Sequence, residues 1–320
     1  LRGYAFSDGF EDRLLRSLGR DHDLFGPVLE EGVGCRLKKV AAWGDLTFGE
    51  LPLIPLKKYL LPPSDPLWNW TEEGVSPAPA PERPVALVGI VPCDLVALNY
   101  LDRVFEEDRN YRLRREQLIT VGTECEPGEQ CFCPERSELP SFDLFLGRGR
   151  LWTGSERGEK LIEPLREEIS VREEIPPPDL NPGTAPPLPE DLEELFNRSA
   201  GLPLWAQVGN TCLSCGACSA VCPTCYCYHM VDEARPDGSV TRSRSWDNCF
   251  FRSHALVAGG RNFRPSRAER LRFRFEHKLL GFGPLRGVPS CVGCGRCRSA
   301  CPVDIDISEV LAALTGRETS

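Results

Sequence analysis

The chain has 320 residues, 41% hydrophobic and 27% charged, with 38 basic against 47 acidic side chains and a net charge of -9. This is the composition of an ordinary globular protein with enough chain for two domains. The acidic balance argues against a nucleic-acid binder, no stretch approaches the ~18 consecutive apolar residues of a membrane span, and no basic stretch leading into an apolar core marks a secretory signal.

The first segment, 1–75, predicts a helix around Phe10 to Leu18 and short strands after it, and declares no chemistry. A proline-rich stretch, Ser76 to Pro84, then interrupts the chain, because proline fixes φ and removes a backbone donor. A middle domain, 83–175, reads as α/β. Val85 to Val91 is a β-branched apolar run of strand length, and Asp94 is a plausible N-cap for a helix carrying Leu95, Leu98, Leu101, Val104 and Phe105. Leu118 to Val121 and Phe142 to Leu146 are further strands. A glycine fingerprint for a dinucleotide is missing. A second proline-rich stretch, Pro176 to Pro189, is read as a linker to a C-terminal domain, 190–320.

Sixteen cysteines stand beside one methionine, and eleven of them fall after residue 210. Disulfide scaffolds are usually short and exported, whereas cysteines two or three residues apart suit ligands converging on a metal centre in a reducing compartment. Cys212, Cys215, Cys218 and Cys222-Pro223 form Cys-x2-Cys-x2-Cys-x3-Cys-Pro, and Cys291, Cys294, Cys297 and Cys301-Pro302 repeat it. This is the spacing of cubane [4Fe-4S] ligands, in which the fourth cysteine serves the other cluster. The expectation is two [4Fe-4S] clusters, one on Cys212, Cys215, Cys218 and Cys301, the other on Cys291, Cys294, Cys297 and Cys222. Gly216 and Gly295 lie inside the turns, where positive φ is needed. Structural zinc takes four ligands in two pairs and leaves the third cysteine and the Cys-Pro unexplained.

Sixty-eight residues separate the motifs, more than in a compact ferredoxin. Arg270, Arg274 and Lys278 fall on one stripe of a predicted helix, with Leu271, Phe275 and Leu279 on the next. The stripe either raises cluster potentials or is a solvated, ion-paired face. None of His229, His254 and His277 is assigned as a ligand. Cys93, Cys125, Cys131 and Cys133 form a candidate third metal site, since Cys93 and Cys125 follow strands that would end at one sheet edge; the alternative is a set of packed or redox-active thiols. Cys225, Cys227 and Cys249 are read as structural, and Cys35 as packed. The fold class is α+β, an N-terminal α/β region followed by an α-helical ferredoxin-like dicluster domain.

Several separated elements carry a resemblance. They are Gly89-Ile90-Val91-Pro92-Cys93-Asp94-Leu95 with Leu101-Asp102, then Tyr111, Arg114-Arg115-Glu116, Cys125 and Cys131-Phe132-Cys133. Cys222-Pro223-Thr224-Cys225-Tyr226-Cys227, Trp246 with Cys249, Gly259-Gly260, Arg274, His277-Lys278 and Cys291-Val292-Gly293-Cys294-Gly295-Arg296-Cys297 complete it. On these the chain resembles the β subunits of soluble sulfhydrogenase-type [NiFe] hydrogenases and the A subunit of anaerobic sulfite reductase. The resemblance implies a cytoplasmic electron-transfer subunit without a catalytic centre, working in anaerobic metabolism. Its partners would be a flavin subunit handling NAD(P)H and a subunit holding a [NiFe] or sirohaem catalyst. The competing function is thiol or disulfide catalysis by the middle cysteines, but Cys131-Phe132-Cys133 is not a Cys-x-x-Cys motif. Its neighbours Glu124, Glu126 and Glu129 would raise a thiol pKa rather than lower it.

Overall fold

The computed structural model describes residues 1–79, 83–134, 140–171, 176–178, 180, 183, 185 and 187–316. Its strands are β1 (Arg2–Phe6), β2 (Asp23–Glu30), β3 (Gly34–Lys39), β4 (Ser64–Thr71), β5 (Gly74–Pro77), β6 (Val85–Ile90), β7 (Leu118–Thr123), β8 (Leu144–Gly147), β9 (Arg150–Thr153), β10 (Ile169–Val171), β11 (Tyr228–Ala234) and β12 (Val240–Trp246). The chain divides into two compact units. One comprises Leu1–Leu60, Ala80–Glu129 and Glu135–Thr184, the other Leu61–Pro79, Gln130–Pro134 and Ala185–Ser320. Part of the expected proline-rich linker, residues 179, 181, 182, 184 and 186, lies outside the described residues.

The first unit is an eight-stranded sheet in the order β10-β1-β9-β8-β7-β6-β2-β3. β2, β6, β7 and β8 are mutually parallel, and the remaining pairings are antiparallel. Parallel strands covered on both faces read as unbroken apolar runs, and β7 is buried at every position. The edge strand β3 alternates instead: Cys35 and Leu37 are buried while Arg36, Lys38 and Lys39 face solvent, so Cys35 is a packed core residue. The helix Phe10–Leu18 buries Phe10, Leu14, Leu15 and Leu18, which join Val88, Val121 and Leu144 in one core.

Because β1, β2 and β3 share a sheet with the middle strands, residues 1–60 and the middle segment are one folded unit, and the proline-rich stretch near 80 does not divide them. The prolines of Ser76 to Pro84 suggested a boundary; hydrogen bonding between β2 and β6 overrides it. The helix after β6 begins at Pro92, with Val91 as N-cap. Asp94 is therefore not the cap but a buried first-turn residue.

Asp143, buried ahead of β8, fastens this unit. Its carboxylate accepts from the Thr120 amide (3.0 Å), the Ser155 hydroxyl (2.8 Å) and the Arg157 guanidinium (2.9 Å).

The second unit holds more than the α-helical ferredoxin-like domain expected of it. Beside its helices it holds an antiparallel four-stranded sheet in the order β11-β12-β4-β5. β4 and β5 come from residues that precede the whole middle segment, and they pair with a hairpin from the insert between the cysteine motifs. Arg244 lies opposite Asp65 in the β12–β4 register, and the two form an almost fully buried ion pair at 2.8 Å. Helices Leu192–Arg198, Pro203–Thr211, Arg267–Leu280 and Ile307–Thr315 complete the unit. Their apolar faces meet through Phe196, Trp205, Leu271, Phe275 and Val310. Among the described residues no helix is long and apolar enough to cross a membrane.

Candidate iron–sulfur centre

The two cysteine motifs fold into the same local shape. The helix Pro203–Thr211 ends at Cys212, the chain turns, and Gly216 at φ 77° caps the one-turn helix Ala217–Ala220. In the second motif Gly295 at φ 72° caps Arg296–Ser299 in the same way. A left-handed conformation is costly with a side chain, and space forbids one as well. A Cβ at Gly216 would lie 2.3 Å from the Asn248 amide nitrogen, and one at Gly295 2.3 Å from the Gln130 carbonyl oxygen.

Cys212, Cys215 and Cys218 of the first motif and Cys297 and Cys301 of the second line one cavity, together with Phe250, Phe275 and Arg274. Backbone N–H groups point at the sulfurs, Ser214 to Cys212 Sγ at 3.4 Å and Ile305 to Cys301 Sγ at 3.2 Å, as suits thiolates. The other four motif cysteines interact with one another. Burial, with the neighbouring Cys222 and Cys294 sulfurs, pushes the Cys291 thiol up to about 11. A hydrogen bond from the Cys222 thiol to Cys225 and burial push Cys222 up to about 11 as well, and Cys297 is raised by burial and by Cys291, Cys222 and Cys294.

Two cations are buried among these sulfurs, one turn apart on Arg267–Leu280. Arg274 is 4% exposed and donates to the Ser219 hydroxyl (2.8 Å), the Cys218 carbonyl (2.8 Å) and Cys225 Sγ (3.2 Å). Lys278 is 3% exposed and donates to Thr224 Oγ1 at 2.9 Å, which itself donates to the Ser290 carbonyl and lies 3.4 Å from Cys222 Sγ. Burial opposes both charges, but the surrounding cysteines more than offset it and hold both groups protonated. Among the described residues no carboxylate pairs with either. An uncompensated buried charge costs several kcal/mol, so the pair fits a site whose occupant is anionic. Of the two readings of the basic stripe, a solvated face is excluded. Arg270 is also buried but serves the loop, donating to the carbonyls of Arg264 and Pro265.

The extra cysteines of the insert sit close by. Cys225 contacts Arg274, and Cys227 and Cys249 hydrogen-bond to each other. His277 packs against Tyr226, Phe273 and Phe282. Burial and the adjacent Lys278 and Arg274 push it down to about 3, so it is a neutral packing residue.

The four middle cysteines divide between the units. Cys93 follows β6 and Cys125 follows the adjacent parallel β7 in the first unit. Cys131 and Cys133 belong to the second, where they lie against the second motif: Cys131 Sγ is 3.8 Å from the Cys294 carbonyl and Cys133 Sγ 3.7 Å from that of Gly293. The Phe132 amide donates to the same Gly293 carbonyl at 2.8 Å. Sequence reasoning missed this contact, and the only signal available was the Glu126-Pro127-Gly128 break after Cys125.

Paired motifs folded alike, cysteines of both lining one cavity, and buried cations beside them define an iron–sulfur protein of the dicluster electron-transfer class. A family model described as "4Fe-4S dicluster domain" matches residues 211–305. The beta subunit of sulfhydrogenase 2 from Pyrococcus furiosus is 30% identical over 316 residues, spanning 93% of this chain and 92% of that protein. The chain belongs to the family of sulfhydrogenase beta subunits, as an iron–sulfur electron-transfer subunit. No solved structure matches it.

Proposed function

We propose that this subunit carries single electrons between a flavin subunit that handles NAD(P)H and a terminal catalytic subunit of the [NiFe] hydrogenase or sirohaem sulfite reductase type. Two cubane clusters, when bound, supply reversible one-electron chemistry. Cys212, Cys215, Cys218 and Cys301 hold one of them, and Cys291, Cys294, Cys297 and Cys222 the other. The observation that carries the assignment is the cavity lined by three cysteines of the first motif with Cys297 and Cys301 of the second, of which the motif spacing gives Cys301 to the first-motif cluster. Arg274 and Lys278 compensate negative charge between the motifs, and the backbone amides of Ser214 and Ile305 stabilise thiolates. A relative named as a sulfhydrogenase subunit favours the hydrogenase arm over the sulfite reductase arm.

Iron and acid-labile sulfide per chain, measured on protein isolated without oxygen, test this reading. About eight irons are expected from two cubanes. About twelve would add a third cubane on Cys93, Cys125, Cys131 and Cys133. Zinc without sulfide would end the proposal. Exchanging Cys301 for serine should disturb the spectrum of the cluster whose other ligands lie 83 to 89 residues earlier in the chain; a change confined to the second motif's own cluster would refute crossed ligation.

A further inference from the structure

Resting on the electron-transfer reading, we infer that residues 251–263 with Leu213 form the docking surface for a redox partner whose contact face is apolar and rimmed by carboxylates. Electrons would enter or leave through the first-motif cluster at Cys215.

Cys215 is the exposed member of the first motif, so a cluster held there approaches solvent most closely at that sulfur, and electron tunnelling falls steeply with distance. The second motif is covered at its Gly293 and Gly295 turns by the segment Gln130–Cys133. The segment after Asn248 is pinned to the first motif at both ends. Asn248 Nδ2 donates to the Gly216 carbonyl at 2.8 Å, and Arg267 donates to the Cys212 carbonyl at 2.8 Å. Phe251 lies over Gly216, within 3.2 Å of where its Cβ would be.

Between those anchors the chain makes a small, internally bonded finger. Leu256 bridges Asn262, the Val257 amide donates to the Arg261 carbonyl, the Phe263 amide donates to the Ala255 carbonyl, and Asn262 Nδ2 donates to the Arg252 carbonyl at 2.6 Å. The finger nonetheless presents apolar side chains to solvent: Leu256 is 51% and Phe263 60% exposed, beside Leu213 at 58%. Apolar surface held out by a preorganised backbone marks an interaction site.

Its charge identifies the partner. Within 251–263 the exposed Arg252 and Arg261 stand with no carboxylate, His254 being paired with Asp247 just before the segment, in a chain of net charge -9. A basic rim around apolar anchors selects and steers an acidic partner. A second copy of this chain docking face to face would set these arginines against themselves, and an anionic lipid surface would repel the chain's overall charge.

The test uses the full chain with its clusters, reduced without oxygen and mixed with oxidised flavodoxin, an acidic flavoprotein, or with a zwitterionic viologen that needs no docking. Three variants that keep the parent's iron content are compared: R252E/R261E, Phe263→Ser and Leu256→Gln. Electron transfer to flavodoxin should fall about tenfold in the charge reversal, losing its salt dependence, and also fall in the two apolar variants, while the viologen rate stays at the parent value. Flavodoxin rates within twofold of the parent in all three would overturn the inference. So would an equal fall on both acceptors. Unchanged flavodoxin rates with lost binding to phosphatidylserine vesicles would overturn it in favour of a lipid surface. A parent chain that holds no iron or reduces neither acceptor would defeat the underlying electron-transfer reading instead.

Discussion

The sheet unit and the cysteine unit solve the problem of an interior in different ways. The first closes a continuous apolar core of Phe10, Leu14, Val88, Val121 and Leu144 around parallel strands, and the carboxylate buried in it, Asp143, is met by Thr120, Ser155 and Arg157. The second places buried cations among sulfurs. Arg274 and Lys278 have no carboxylate partner among the described residues, and thirteen of the sixteen cysteines lie in it (eleven after residue 210, plus Cys131 and Cys133). The lesson is that the first unit pairs its buried charge within its own chain, whereas the second buries cations that fit an anionic occupant.

Stripping the iron is the strongest way to break that contrast. Chelation under mild oxidation should abolish hydrogen-exchange protection across 203–301 while β6 and β7 stay protected; simultaneous loss in both units would refute the independence of the sheet unit. Within the sheet unit, Asp143→Asn should cost about 1–3 kcal/mol, because the half-buried Arg157 loses its charged hydrogen-bond partner, read as a fall in the denaturant midpoint of that unit. The same carboxyl sets an acid limit. Burial pushes Asp143 up, but hydrogen bonds from Arg157, Thr120 and Ser155 outweigh it and hold the group below the usual carboxylate range. Its contribution is therefore fully present above about pH 4, the unfolded carboxylate value, and is lost as pH falls through the lower folded value. Acid titration of unfolding in the parent should show that loss, and Asp143→Asn should flatten it.

Weaker effects sharpen the comparison in the cysteine unit. Gly295→Ala should cost about 1–3 kcal/mol in backbone strain and displace the Gln130 carbonyl that a Cβ would meet, seen as faster exchange at the Phe132 amide. Arg274→Met, which keeps the volume and removes the charge, should lower a cluster potential by about 60 mV, the one-electron equivalent of a tenfold change, in a redox titration followed by EPR. An unchanged potential would leave the arginine a purely packing role. Smallest is the capping box of the helix Arg267–Leu280, where the Ser266 hydroxyl accepts from the Glu269 amide and the Glu269 carboxylate accepts from the Ser266 amide. Ser266→Ala should cost about 1 kcal/mol by thermal denaturation.

Local chemistry was legible in the residues themselves. The two Cys-x2-Cys-x2-Cys-x3-Cys-Pro runs, the need for glycine at Gly216 and Gly295, the helix carrying Arg274 and Lys278, and the apolar strands β6 and β7 all follow from spacing and periodicity within about twenty residues. Such signals are local because a turn, a helix stripe or a buried strand is set by near neighbours. Partnerships over long stretches of chain were not legible. Only the tertiary structure decided that β2 pairs with β6, that Asp65 meets Arg244 across 179 positions, and that Cys131 and Cys133 lie against the second motif. It also decided that the basic stripe is buried. Residue type sets what a side chain can do, but its charge state and partners follow from what the folded chain packs around it, and no periodicity encodes that.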